Sequence, residues 1–351
     1  MAPLTRRASL TRGARAALAA ALLGAAAPAG AQVTLPPGFT STVYVTGQVS
    51  SATVPGIPSV STLGFDRSGV LYLARSGRRY ATGEADDLYP IYRIPPGGAR
   101  LTPETERQLL HGPPLSNPQV AAVGAAGEVF LSTYDRERKH GVLYRMVDGR
   151  AELFAGGAPA PGAAPLLKQP EGAAVDTAGN VYVADREQGA VLRLDASGRV
   201  IDPRWVTVVR PRALAMDDAD HLWVGADGEA AAPWQPGPGE IWRVSPAGKR
   251  SLVLRGPVTA GIAAAPGGHL FVADRPGSQI FALTPEGKRI EFARFAEGTA
   301  PRSLAFAPDT PQTRRAGIAG SLFVVVINRG AWQVNEVLRV SGPFDELLRP
   351  R

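Results

Sequence analysis

Pro170-Glu171-Gly172-Ala173-Ala174-Val175-Asp176, then Gly179-Asn180, then Val181-Tyr182-Val183-Ala184-Asp185, form one continuous stretch. Its first part is small and apolar, its middle reverses a chain, and its last part is β-branched and aromatic. An Asp three residues before a Gly suits a tight turn. The carboxylate bonds nearby backbone N–H groups, and glycine accepts positive φ without steric cost. The flanks read as two short antiparallel strands joined by that turn.

The same pattern recurs along the chain. Leu63-Gly64-Phe65-Asp66 leads through Gly69 to Leu71-Tyr72-Leu73-Ala74, and Ala121-Ala122-Val123 leads through Gly127 to Val129-Phe130-Leu131-Ser132. Later copies are Leu214-Ala215-Met216-Asp217 with Leu222-Trp223-Val224-Gly225, and Ile262-Ala263-Ala264 with Leu270-Phe271-Val272-Ala273-Asp274. The last is Leu304-Ala305-Phe306 with Leu322-Phe323-Val324-Val325, carrying an insertion between its strands. Equivalent turn positions fall at 69, 127, 179, 220, 268 and 320, an average step of about 50 residues. A third strand follows each pair, as in Val191-Leu192-Arg193-Leu194 and Ile241-Trp242-Arg243-Val244, and a fourth such as Ser251-Leu252-Val253-Leu254 comes after it. Four short strands per unit, repeated radially, predict an all-β six-bladed β-propeller. Small residues in the first strand suit the crowded centre, and aromatic residues in the second suit the wider gaps between blades. The sixth copy ends after its third strand at Ser341-Gly342, apart from a polar tail. Phe39-Thr40-Ser41-Thr42-Val43-Tyr44-Val45 precedes the first copy without a blade of its own, so this leading strand is expected to complete the last blade. Closure of that kind protects both exposed edges. It also answers the absence of cysteine, which excludes disulfides and thiolate sites.

Residues 1–31 read differently. Arg6, Arg7, Arg12 and Arg15 precede an Ala/Leu stretch from Ala16 to Ala27, and Ala29-Gly30-Ala31 gives a small-x-small cleavage site before Gln32. This is the pattern of an export signal, and Thr5-Arg6-Arg7-Ala8-Ser9-Leu10 is a loose twin-arginine motif. The expected organisation is signal peptide 1–31, linker 32–38, propeller 39–346 and tail 347–351, placing the mature protein in the periplasm or outside the cell. The formal net charge of +7 falls to +3 once four of the 38 bases leave with the signal, against 31 acids. Nucleic-acid binding then loses its electrostatic basis. No apolar run reaches the length of a membrane span, and a monomer is expected.

The Pro170–Asp185 pattern resembles the NHL-repeat and SMP-30/gluconolactonase-like six-bladed propellers, and the likeness extends over most of residues 39–341. The resemblance implies a lactone or ester hydrolase. Such enzymes hold a divalent cation through a Glu in a first strand with Asn and Asp from other blades. Glu171-Gly172 is similar to that Glu-Gly start, and Asp185 or Asp274 would supply the Asp. Arg302-Ser303 stands where these enzymes carry Asn. Leu35-Pro36-Pro37-Gly38-Phe39 and Gly320-Ser321-Leu322-Phe323-Val324 are also similar to exported sorbosone/glucose dehydrogenase-type propellers. That likeness implies a quinone with a His base beside an Arg. His221 and His269 occupy one repeat position, just after the turn and on the face opposite the usual pocket, while His111 and His140 fall in inter-strand loops.

Repeat geometry places Ser61, Gln119, Glu171, Arg212, Ala260 and Arg302 where the first strands enter the centre. Arg75, Tyr134, Asp185, Asp227, Asp274 and Asn328 end or just follow the second strands on the same face. From these rings, Arg75, Gln119, Glu171, Asp185, Arg212, Asp227, Asp274 and Arg302 are the candidate ligand-binding residues. Asp185 and Asp274 equally suit capping turns and tying neighbouring blades, whereas Glu171, Arg212 and Arg302 lie off that turn position. Two guanidiniums beside Glu171 are expected to satisfy its carboxylate without any ion. Mixed carboxylates, guanidiniums and amides around a funnel suit a polar small molecule, a glycan or a protein partner. Binding of such a ligand is the function expected, with a metal-dependent lactone or ester hydrolase and a quinone-dependent sugar dehydrogenase as the alternatives. Neither a metal nor a quinone is read from the residues themselves.

Overall fold

The computed structural model describes residues 33–47, 57–58, 60–75, 88–102, 104–124, 127–135, 140–232, 235, 237–256, 259–328 and 334–349. The expected signal peptide and its cleavage point before Gln32 lie outside them, as do the side chains of Arg75 and Asn328. The chain forms a six-bladed β-propeller. Each blade is a sheet of four antiparallel strands in order from the centre outward. The inner strands are Val60–Phe65, Gln119–Val123, Pro170–Val175, Pro211–Met216, Thr259–Ala265 and Thr299–Phe306.

The inner turns form for the reason the sequence gives them away. In blade 3 the Asp176 carboxylate accepts from the Asn180 backbone N–H at 2.8 Å, and Gly179 N–H bonds Asp176 O at 3.0 Å. Gly179 sits at φ +83°, the left-handed region where a side chain is strained. Asp66 and Asp217 anchor the equivalent turns, each accepting the N–H four residues on.

Blades pack through their second and third strands. The aromatic of one strand stands opposite an arginine of the next: Phe130 against Arg145, Tyr182 against Arg193, Trp223 against Arg243 and Phe323 against Arg339. In blade 4 the Arg243 guanidinium lies 5.4 Å from the Trp223 ring centre and donates to Asp217 at 2.9 Å. The ring fills the inter-blade core, and the arginine ties the sheet to its own inner turn. At the centre, inner strands approach so closely that a Cβ on Gly172 would lie 2.6 Å from Arg212 O. Only glycine fits there.

The ring closes through the chain's leading segment. Thr40–Gly47 lies antiparallel to Val334–Ser341, with Thr40 opposite Ser341 and Val43 opposite Leu338, and so supplies the outer strand of blade 6. Its own outer edge is then covered by Ala99–Leu101, which pairs with it in parallel. Val33–Thr34 adds to the outer edge of blade 5. The segment after Ser341 is more than a polar tail. Phe344 and Leu348 are buried, and the Phe344 ring packs edge-on to Phe39 at 4.9 Å and Phe306 at 5.2 Å. The blade 6 insertion carries a short helix, Pro311–Arg315, whose capping residue Thr310 also donates to Arg67 O of blade 1 at 2.9 Å. Blades 6 and 1 are therefore joined on both sides of the seam.

Candidate functional site

A central cavity of about 310 Å³ runs along the inner strands, and Thr62, Gln119, Glu171, Arg212 and Ser303 are its polar side chains. The backbone explains why these residues reach it. In five inner strands the ladder skips one residue near its start: between Val60 and Leu63, Pro170 and Ala173, Pro211 and Ala213, Thr259 and Gly261, and Pro301 and Ser303. A bulge of this kind leaves one residue out of the ladder and re-aims side chains. Glu171, Arg212, Ala260 and Arg302 all lie within such a bulge. Proline immediately before Gln119, Glu171, Arg212 and Arg302 fits the entry to an inner edge strand, where one backbone N–H can be lost.

Side chains then knit the mouth across blades. Glu171 accepts from the Gln119 amide of blade 2 at 3.1 Å and from the Gln169 amide at 3.1 Å. Its backbone carbonyl accepts from Ser132 Oγ at 2.6 Å, and Thr62 Oγ1 accepts from Val120 N–H at 2.7 Å. The Glu171 carboxylate thus has two neutral amides as hydrogen-bond partners, and it acts on Arg212 through its charge. The hydrogen bond of Arg212 goes to Asp227 at 3.4 Å. Partial desolvation by the channel wall opposes the Arg212 charge, but the Glu171 and Asp227 carboxylates outweigh it and raise the guanidinium pKa. Arg212 is a permanent cation.

Asp227 collects two more guanidiniums. Arg186 donates through Nε at 3.1 Å and Nη2 at 2.7 Å, and Arg210 Nη2 lies 3.4 Å away. Asp185 and Asp274 behave differently because of register. Asp185 stands opposite Pro170 and Asp274 opposite Thr259, whereas Ala226 stands opposite Pro211. Asp227 is thus one residue further along, just beyond the end of its strand, in the connection that Arg186, Arg210 and Arg212 reach. Asp185 is fully buried and bonds the N–H groups of Lys168, Gln169 and Gln188 together with the Gln188 amide. Asp274 accepts from Gly277 N–H at 3.1 Å and the Gln279 amide at 2.7 Å. These two acids brace the loops of their own blades and do not line the cavity. Arg302 is half-buried in the blade 6 bulge, and its neighbour Ser303 lines the cavity. Arg75 closes its strand opposite Val60, with its side chain outside the described residues.

The sequence reading missed Arg186, Arg210, Thr62 and Ser303. A signal existed for the first: Asp185-Arg186 and Asp274-Arg275 repeat one dipeptide at one blade position.

Neither group implied by the family resemblances fits these residues. Among the described residues no group of three or more His, Cys, Asp or Glu is placed to hold a metal ion. Glu171, the carboxylate a cation would need, lies in the field of the Arg212 guanidinium, which opposes a further positive charge there. A quinone base would have to come from the histidines. His221 and His269 sit by the inner turns at the far end of the channel, and His111 lies on the outer strand of blade 1, where burial and then Arg93 lower its pKa. His140 opens the third strand of blade 2 on the mouth side, but it is buried.

No protein-family model matches the chain, and no curated protein matches it by sequence. Solved structures do match. A protein described as a gluconolactonase is 16% identical, with a TM-score of 0.56 over 88% of this chain and 93% of its own. The PQQ-bound aldose sugar dehydrogenase from Streptomyces coelicolor is 14% identical, with a TM-score of 0.54 over 88% of this chain and 100% of its own. A catalytically inactive virginiamycin B lyase from Staphylococcus aureus, solved with quinupristin, is 13% identical, with a TM-score of 0.50 over 86% and 99%. At these identities the likeness shows the fold.

Proposed function

We propose that the channel mouth binds a small polar ligand carrying hydroxyl groups and a negative charge. One observation carries this reading. Of the charges gathered there, the Arg212 side chain is 43% exposed, while the Asp227 side chain is 7% exposed and Glu171 is 9% exposed. The charge offered to solvent is positive, although the carboxylates lie within reach. Arg212 then donates to the anionic oxygens of the ligand. The Glu171 oxygens, each with a lone pair to spare beyond its amide bond, accept from ligand hydroxyls. Recognition of a glycan or a protein partner would place the same groups against a terminal acidic residue. The SMP-30/gluconolactonase kinship and the export expected from residues 1–31 belong to this proposal, supported by the Pro170–Asp185 pattern and by the Arg-rich, Ala-rich start. The metal-dependent hydrolysis associated with that kinship does not belong to it.

Titration calorimetry with D-gluconate, D-glucuronate and D-glucose tests the reading. The two acids should bind and glucose should bind more weakly. Arg212→Ala should weaken the acids about ten- to hundredfold, the range of a hydrogen bond to a charged group. Chelator should change nothing. Undiminished binding by Arg212→Ala, or binding that requires a divalent cation, would overturn the proposal.

A further inference from the structure

Three guanidiniums meet at one carboxylate beside the mouth. Arg186 comes from the connection after the second strand of blade 3, Arg210 from the connection entering blade 4, and Arg212 from the blade 4 bulge. Asp227 balances one of the three. Glu171, on the neighbouring inner strand of blade 3, acts on Arg212 as a second anion, and the group keeps one positive charge in excess when both acids are counted. Arg186 and Arg210 are recessed, with side chains 24% and 22% exposed. A partly buried surplus of like charge is costly unless an anion completes it. The backbone fixes Arg210 in place despite an unfavourable conformation: its φ is +54°, and its carbonyl accepts from Asp227 N–H at 3.1 Å. Arg210 also donates from Nη1 to Gln235 O at 3.1 Å, which leaves Nη2 turned to Asp227. Arg186 gives only Nε and Nη2 to Asp227.

We propose that Arg186, Arg210 and Arg212 together receive a phosphoryl group, so that the ligand of this mouth is a phosphate monoester. The inference rests on the reading of the mouth as an anion site and names the class of anion. A single carboxylate is matched by Arg212 alone. Planar guanidiniums arriving from three directions match the several oxygens of a phosphoryl group, each of which accepts more than one donor.

Thermal unfolding at constant ionic strength gives the test, with inorganic phosphate, sulfate, glycerol phosphate, acetate and chloride as probes. Phosphate, sulfate and glycerol phosphate should raise the melting temperature saturably, and acetate and chloride should not. A tighter effect of glycerol phosphate than of inorganic phosphate identifies the ester as the ligand, and the reverse identifies the free ion. Arg210→Gln should weaken the phosphate effect tenfold or more. Should that variant fail to fold, saturable broadening of the phosphorus resonance of glycerol phosphate by the wild-type protein, reversed by sulfate but not by chloride, serves instead. Stabilisation by phosphate no greater than by chloride, while D-gluconate still binds, would overturn this inference and leave the mouth reading standing. Failure of D-gluconate and phosphate alike would overturn both.

Discussion

Asp227 faces three guanidiniums from a nearly closed position, so its loss is more than the loss of one ion pair. Replacement by Ala removes the shared acceptor and leaves Arg186, Arg210 and Arg212 repelling one another. Breaking a buried pair in this way costs about 3–5 kcal/mol. Chemical denaturation of Asp227→Ala should show a loss of that size, and restored stability at high sulfate would mark the repulsion as its cause. A loss within about 0.5 kcal/mol, the range of an ordinary surface change, would mean that the cluster is electrostatically slack. This residue also marks the limit of what the sequence disclosed. Asp185, Asp227 and Asp274 all follow an apolar strand and a small residue, and they look alike in the chain. Their difference is a one-residue offset against the neighbouring strand, together with partners about 40 positions away, such as Arg186 for Asp227. Neither property is carried by the local pattern.

The elements were far more legible, because each blade repeats the same physical problem and the same answer. The Asp-anchored turn, the small inner strand and the aromatic second strand are local patterns, so Asp176-Thr177-Ala178-Gly179 and Val181–Asp185 announce themselves. Gln119, Glu171 and Arg212 followed from their place in that repeat, five residues before the turn. The bulge that turns Glu171 and Arg212 into the channel did not, since it depends on pairing with the next strand. The segment after Ser341 was also misjudged. Two apolar residues among charged ones, Phe344 and Leu348, meet their partners only once the ring has closed. Closure itself rests on Thr40–Gly47, in which Val45 is fully buried between Val337 and Ala99. Val45→Asp would bury an unpaired carboxylate there and open the edges of blade 6. Cooperative thermal unfolding should be lost, or aggregation should set in, because an unpaired apolar edge recruits other chains. An unchanged, sharp transition in Val45→Asp would contradict the closure.

At the scale of the whole molecule, a ring closed by hydrogen bonds suits a chain without cysteine. Its six separate sheets pack on one another through shared apolar cores around the channel that the inner strands surround. The export expected from residues 1–31 is tested by fractionating the native host and sequencing the N-terminus. The protein should begin at Gln32 and be found outside the cytoplasm, whereas full-length chain confined to the cytosol would contradict the signal-peptide reading. The central claim concerns where the ligand sits, and a crystal structure of the protein grown with D-gluconate tests it most directly. The account predicts electron density in the channel mouth, with the carboxylate within hydrogen-bond distance of Arg212 and a hydroxyl within reach of Glu171. A mouth holding only water, with gluconate bound at the opposite end of the channel or on the outer strands, would contradict it.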